Sequence, residues 1–315
     1  MFNLIRKNGT SRVDLIDRIS ARLAEAGRLP KFCDLSRIGP LHLASVYSEA
    51  PTSAIIRESV QCGMDFDQNL AILKALIECV ERLAIEEGIR SGHRACQTPR
   101  SDGFAAFPIA QIGSAKARIE ARANAYAEAL ERFAWARWWD DSSIGATIYR
   151  NSDIVVNAQG LNLIEEIRRI LPVEEVILVE PSLESDSHRV VIFYFVLKNL
   201  GLVSGGACGH SSMRDAAMVR ALGELSRHMA CAKKILNGAT AATFYEQRLD
   251  YMATTQSSLK LADRIACSGS DRIKEPKLVI DEPVPHMLKD SVTVHRCLFA
   301  DQPPFIGGHL ERLCL

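Results

Sequence analysis

The chain of 315 residues has no apolar run of 18 residues, so no segment is expected to span a membrane. Its first residues, MFNLIRKNGTSRVD, lack the apolar core of a signal peptide. The nine cysteines contain no CxxC pair. Without an export signal they read as reduced thiols of a cytoplasmic protein, most of them small packing residues. HExxH and paired Cys/His spacings are also missing, which argues against zinc. Neither sign of charge is in excess: 38 Lys and Arg balance 38 Asp and Glu. No long run of like charge occurs, which argues against a nucleic-acid surface. There is no P-loop, no G-x-G-x-x-G, no Ser-His-Asp set, no reactive-cysteine motif, no low-complexity tract and no obvious linker. The length suffices for a large core, in one big domain or two.

What is present is a ten-residue pattern that occurs twice. Residues 75–84 read ALIECVERLA and residues 125–134 read AYAEALERFA, both A-x-x-E-x-x-E-R-x-A. Glu78, Glu81 and Arg82 share one helix face, as do Glu128, Glu131 and Arg132, because their spacings are three and four. In the first helix Phe66, Leu70, Leu73, Ile77, Val80 and Ala84 form the expected core stripe; in the second, Ile119, Ala123, Ala127, Leu130 and Phe133 do. The charges border these stripes, so they could line a cleft. Two carboxylates and an arginine on each helix suggest divalent-metal and phosphate chemistry. For one copy alone, a solvated, internally paired face is the ordinary explanation; two copies in matching register weigh against it.

The remaining pattern places a helix over 11–27, strands over 41–48 and 54–61, and the first charged helix over about 66–88, ended by Gly88. A polar loop, SGHRACQTPRSDGFAAFP, leads to the second charged helix, about 114–139. A helix over 161–171 stops at Pro172, and VEEVILVE and RVVIFYFVLK read as strands. Residues 204–229 read as a glycine-rich turn feeding a helix, with Ser212 and Asp215 as a capping box. Glycines admit a ligand to backbone amides and helix N-termini attract anions, but a plain strand-to-helix turn explains the segment equally well. Arg220, Glu224 and Arg227 lie on its helix. Residues 240–267 are expected to be helical, and strands and loops follow from 276.

With three charged helices in this order, the chain resembles the YcaO-like family, ATP-dependent enzymes that modify peptide backbone amides in ribosomally synthesised peptide natural products. The likeness covers roughly residues 40–300. Its pieces are KALIECVER (74–82), against the family's S-x-x-x-E-x-x-E-R, then SDGFAAF (101–107), EALER (128–132) running into FAWARWW, and RALGE (220–224). The departures are Lys74 where a serine is usual, Asp102 where an asparagine is usual, Arg227 where a glutamine is common, and an ending in LERLCL in place of a P-x-P-x-P tail. The resemblance implies a single α/β (α+β mixed) domain of YcaO-like fold over 1–315. In it mixed β-sheets pack with long helices that carry the ATP/Mg site, after an N-terminal helical segment (1–39) and before a tail (301–315).

The resemblance further implies that Glu78, Glu81, Glu128 and Glu131, with Glu224 a further candidate, hold Mg²⁺, and that Arg132 and Arg220 contact the phosphates of ATP. Carboxylates about 4 Å apart repel by about 4 kcal/mol at an effective dielectric of 20, which a cation relieves. Asp102 would repel phosphate, so its implied role is in metal binding or structure. Lys74 could pair with Glu78 or touch a phosphate, and His210 is placed for either a catalytic or a structural role; no residue is singled out as the catalyst. The implied reaction adds a nucleophile to an amide carbonyl and passes the γ-phosphate of ATP to the resulting oxyanion. A neighbouring Cys, Ser or Thr then gives an azoline, slightly favoured here, and external sulfide a thioamide. Without the proline-rich tail, either the tail is dispensable or the Leu-Cys-Leu end folds inward and does the ordering. The implied partners are a precursor peptide and a separate peptide-recognising protein, with no nucleic acid and no membrane; a homodimer stays open. The alternative is a degenerate subunit that binds peptide or a partner protein without turning over ATP.

Overall fold

The structure, a computed structural model, describes residues 11–48, 60–96, 103–236, 244–305 and 309–314. In chain order the elements are α1 (Arg12–Glu25), β1 (Pro30–Ile38), β2 (Leu41–Ser48), β3 (Val60–Asp65), α2 (Gln68–Arg90), β4 (Gly103–Pro108), α3 (Ile109–Ile112) and α4 (Ser114–Asp140). There follow β5 (Ala146–Arg150), α5 (Ala158–Ile170), β6 (Val173–Pro181), β7 (His188–Leu197), β8 (Leu202–His210), α6 (Arg214–Leu236), α7 (Phe244–Met252), α8 (Thr255–Ala266), β9 (Leu278–Pro283) and β10 (Val292–Phe299). The fold is mixed α+β with antiparallel sheets, in the orders β1-β2-β3, β4-β10-β9 and β5-β6-β7-β8. Among the described residues no helix is long and apolar enough to cross a membrane.

Two compact units emerge, Met1–Tyr126 with Leu278–Leu298, and Ala127–Lys277 with Phe299–Leu315; the division falls within α4. In the first unit α2 starts at Asp67, whose carboxylate accepts from the Leu70 amide, an N-cap of the ordinary kind. Its Leu70, Leu73, Leu76, Val80 and Leu83 pack with Leu15, Ile19 and Leu23 of α1 and Val46 of β2. The expected stop at Gly88 does not occur: α2 runs on to Arg90. A Cβ at Gly88 would lie 2.3 Å from Cys96 Sγ, so this glycine makes room for a neighbour inside the helix. Residues 103–108, read as loop, form β4, paired from Gly103↔Cys297 to Pro108↔Val292. Of the strand expected over 54–61, residues 54–59 lie outside the described residues, and β3 continues to Asp65. β1 was not anticipated.

The second helix of the repeated pattern also departs from its expected stripe. Ile119 is two-thirds exposed (67%), and the buried row is Ala117, Ala121, Ala125 and Ala129, joined at the C-terminal end by Leu130 and Phe133. In the second unit β7 is buried along its length, Val190 to Phe195. The segment read as a glycine-rich turn is the buried strand β8. Gly205 and Gly206 are neighbours, so their missing side chains face opposite sides of the sheet. A Cβ at Gly205 would stand 2.3 Å from Leu225 N and 2.4 Å from Ala221 O of α6, and one at Gly206 2.6 Å from the Trp135 ring of α4. Their role is close packing on both faces. The expected Ser212 capping box is absent because His210 Nδ1 accepts from the Ser212 amide across a short 3₁₀ turn, and α6 begins at Arg214. The helical stretch expected over 240–267 is two helices, α7 and α8.

The first unit repeats this strand–helix contact: a Cβ at Gly63 of β3 would meet Ala71 O at 1.9 Å and Ala75 N at 2.5 Å on α2. Because backbone cannot swing aside as a side chain does, Gly205→Ala is expected to lower stability by about 1–3 kcal/mol or more, read as a lower urea midpoint at unchanged slope. A midpoint equal to the parent's would mean that α6 does not approach β8 this closely.

Candidate functional site

In the second unit β8 has a strand neighbour on one side only, β7, among the described residues. Its outer edge presents backbone groups that need partners. The carbonyls of Ser204 and Cys208, four residues apart, point the same way. His228 Nδ1 of α6 donates to the first at 2.6 Å, and Arg220 Nη2 of α6 donates to the second. Arg220 and Glu224 are one turn apart on this helix, and Arg227 Nη2 pairs with Glu224 Oε2 at 2.8 Å.

α4 brings the other half of the cluster. Arg132 Nη2 lies 2.5 Å from Glu128 Oε1, one turn away, and its guanidinium sits 5.6 Å from the centre of the Phe305 ring. Glu131 lies against Gly206, whose Cβ would be 3.4 Å from Glu131 Oε1. Burial pushes the Glu131 carboxyl up to about 8; the charge of Arg132 opposes this, the charges of Glu128 and Glu224 add to it, and Arg220 opposes it. The structure therefore gathers Glu128, Glu131, Arg132, Arg220 and Glu224 of the expected set around one carboxyl that holds its proton near neutral pH.

His228 was not foreseen. It is 1% exposed, and burial, with Arg227 beside it, lowers its pKa to about 3. The neutral ring donates from Nδ1 to the Ser204 carbonyl, which leaves Nε2 as an acceptor 3.9 Å from Glu224 Oε2. The only sequence signal was its place one turn after Glu224.

In the first unit Glu78 meets the same need as Arg220 does in the second. Its Oε2 accepts from the backbone N–H of Cys62 on β3 at 2.9 Å, and its Oε1 faces Arg82 Nη2 at 3.2 Å. Glu81 is half-buried one turn on. Lys74 Nζ bonds to Asp65 at 2.7 Å and to the Met64 carbonyl at 2.8 Å, an anchor on the end of β3. Asp102 lies outside the described residues. His210 is exposed, its ring holding the turn between β8 and α6.

Near the end of the chain Leu313 and Cys314 fold inward and are fully buried. Arg248 Nη1 donates to the carbonyls of Phe305 at 2.7 Å and Cys314 at 2.8 Å, and Tyr194 Oη donates to Leu313 O at 3.3 Å. Trp135 Nε1 in turn donates to Tyr194 Oη at 2.7 Å. Phe305, held this way, is the ring next to Arg132.

The raised Glu131 carboxyl makes stability pH-dependent. Between about 4.5, the ordinary value, and about 8 the unfolded chain has lost this proton while the folded chain keeps it. Stability therefore falls as pH rises through that window, by up to about 1.4 kcal/mol per unit, and levels off above it. Glu131→Gln removes this contribution, so in cation-free buffer the variant should gain more on the parent at pH 8 than at pH 5 in denaturant midpoint. An equal difference at both pH values would show that the carboxyl is not raised.

No protein-family model and no curated protein matches the sequence. Among solved structures the chain is similar to YcaO from Methanopyrus kandleri bound with AMPPCP and Mg²⁺. The TM-score is 0.62 at 14% identity, covering 95% of this chain and 93% of that one. It is also similar to the E. coli microcin synthetase McbBCD complex with pro-MccB17 bound. There the TM-score is 0.54 at 12% identity, covering 85% of this chain and 86% of that one. The three antiparallel sheets and the long helices that pack on them are those of a YcaO-like fold.

Proposed function

We propose that this chain is an ATP- and Mg²⁺-dependent enzyme that modifies a backbone amide of a ribosomally made peptide. The observation that carries the reading is the Glu131 carboxyl, raised to about 8 among Glu128, Glu224, Arg132 and Arg220. A group of carboxylates that cannot all ionise by themselves fits a divalent cation, and oxygen donors fit magnesium. In the second unit Glu128, Glu131 and Glu224 would hold it; Glu78 and Glu81 of the first unit are candidate ligands in their own right. When bound, magnesium neutralises these carboxylates and the phosphate oxygens and fixes their geometry. Arg132 and Arg220 bind phosphate oxygens; a guanidinium does so bidentately and keeps its charge at any working pH. The YcaO structure with AMPPCP and Mg²⁺, and the microcin synthetase complex with its pro-peptide, support nucleotide and peptide as the two ligands.

In this reading the chain acts in the cytoplasm, and a separate partner presents the precursor peptide. A nucleophile adds to the amide carbon, the carbonyl oxygen takes the γ-phosphoryl group, and phosphate leaves. We favour an azoline product. The inward-folded tail supports this choice, since Phe305, Leu313 and Cys314 are held by Arg248 and Tyr194 beside Arg132 without any proline-rich motif. Mass spectrometry of the peptide decides: ring closure removes one water, whereas sulfur-for-oxygen exchange raises the mass and requires added sulfide. A mass gain would overturn the azoline choice.

One observation favours a second reading, a subunit that binds peptide or a partner without ATP turnover. Glu224 is already paired with Arg227 at 2.8 Å, an internal cation at a proposed metal ligand. ATP hydrolysis stimulated by a precursor peptide separates the two readings; its absence in the presence of the cognate peptide favours the second.

Glu78→Gln and Glu128→Gln should each abolish Mg²⁺-dependent binding of a non-hydrolysable ATP analogue in calorimetry. The glutamine oxygen can still accept from the Cys62 amide at position 78, so the fold should persist. Arg132→Lys and Arg220→Lys should weaken binding about tenfold, since a point charge cannot reproduce a bidentate contact. Parent-like affinity in both glutamine variants would refute the metal site.

A further inference from the structure

The first unit holds a second constellation, unconnected with the nucleotide reading. His295 and Cys297 are two apart on β10, so both side chains leave the same face of the strand. Asp281 stands on β9, the neighbouring strand. His295 Nε2 lies 2.9 Å and Cys297 Sγ 3.7 Å from Asp281 Oδ1, and one ligand atom from each residue falls within 4.8 Å of the others. We propose that Asp281, His295 and Cys297 form a transition-metal site of the zinc class with its fourth coordination position open.

The donor set carries the choice of metal. A thiolate, an imidazole and a carboxylate suit zinc or a similar ion, whereas magnesium and calcium take oxygen ligands. A tetrahedral zinc with these ligands needs ligand-to-ligand distances of roughly 3.3–3.8 Å, so the three side chains are within about 1 Å of their required places. His295 (7% exposed) and Cys297 (0%) are buried, while Asp281 reaches solvent, which leaves an entry side. Arg122 grips the Asp281 carboxylate from outside, its Nη2 2.6 Å from Oδ2 and its Nε 2.8 Å from Oδ1. This is the placement of an outer partner that orients a ligand. The Arg122 side chain is itself more than half exposed (57%), so it can swing off Oδ1 when a cation arrives.

The arrangement without metal is stable as hydrogen bonds, and binding has a defined proton balance. Without metal, the Cys297 S–H and the His295 Nε2–H both face Asp281 Oδ1. The S–H bond breaks, a sulfur–metal bond forms and that proton goes to the buffer. The proton that Nε2 of His295 holds against Asp281 must leave as well, by moving to Nδ1 or to the buffer, so at least one proton is released for each ion bound.

The test uses the whole chain, stripped of metal by a chelator and titrated with Co²⁺ alone. A thiolate-to-cobalt charge-transfer band should grow to one equivalent and fade when Zn²⁺ is added, and metal binding to the stripped chain should release at least one proton per ion. Cys297→Ser should lose the band, and Asp281→Asn should weaken Co²⁺ binding at least tenfold. Cys267→Ser, which removes an exposed thiol elsewhere, should keep both. Since Cys297 is buried and its variant could fold poorly, Asp281→Asn at the exposed position serves as the second variant. A parent chain without the band, or a band that survives Cys297→Ser, overturns the proposal. Carboxylate sites for magnesium give no thiolate band, so failure here leaves the nucleotide reading untouched, and failure of that reading leaves this one.

Discussion

An outer strand edge leaves backbone groups that something must satisfy, and in both units the helix following the edge strand supplies the partner. α2 sends Glu78 to the Cys62 amide, and α6 sends His228 and Arg220 to the carbonyls of Ser204 and Cys208. These side chains can reach the strand only because Gly63 and Gly205 let each helix lie against its backbone. An unpaired buried backbone group costs about 1–3 kcal/mol, so the polar side chains are held to the strand edge. The charged groups proposed to bind nucleotide are thus placed by the same need that blocks further strand pairing.

Glu131 differs from the others. It comes from α4 on the opposite face of β8, and nothing in its immediate surroundings compensates its burial fully. Two arginines lie close enough to lower its pKa, yet burial and two other carboxylates prevail. A carboxyl left in this condition costs stability at neutral pH, and such a cost is retained where a ligand relieves it. Glu78, by contrast, accepts a backbone amide and faces an arginine, so its environment alone does not call for a cation.

The long amphipathic elements were legible because their periods are strong: α1, α2, β2, β6 and β7 fall close to their expected limits. The charged helices were legible through E-x-x-E-R, and five of the residues expected to bind metal or phosphate lie together in the second unit. Glycine was the main source of error. Gly88, Gly205 and Gly206 were read as helix stop and turn, whereas each clears space for a neighbour distant in sequence, which local pattern does not encode. Alanine was the second: the buried row Ala117, Ala121, Ala125 carries too little apolar weight to outrank Ile119. β4 was missed because its partner, β10, lies almost two hundred residues away. His295 and Cys297 match no helical or loop spacing of paired ligands, because on a strand it is alternate residues that share a face.

The Cys62 amide has a further consequence. Its proton is held by a side chain where strand amides are usually held by a neighbouring strand. Exchange of that proton with deuterium in the solvent therefore depends on where the Glu78 carboxylate is engaged. A ligand that draws Glu78 away would speed exchange at this one position while the amides of β2 and β3 that pair with each other stay protected. The edge of β3 thus carries its own isotope clock, readable without a substrate or a product.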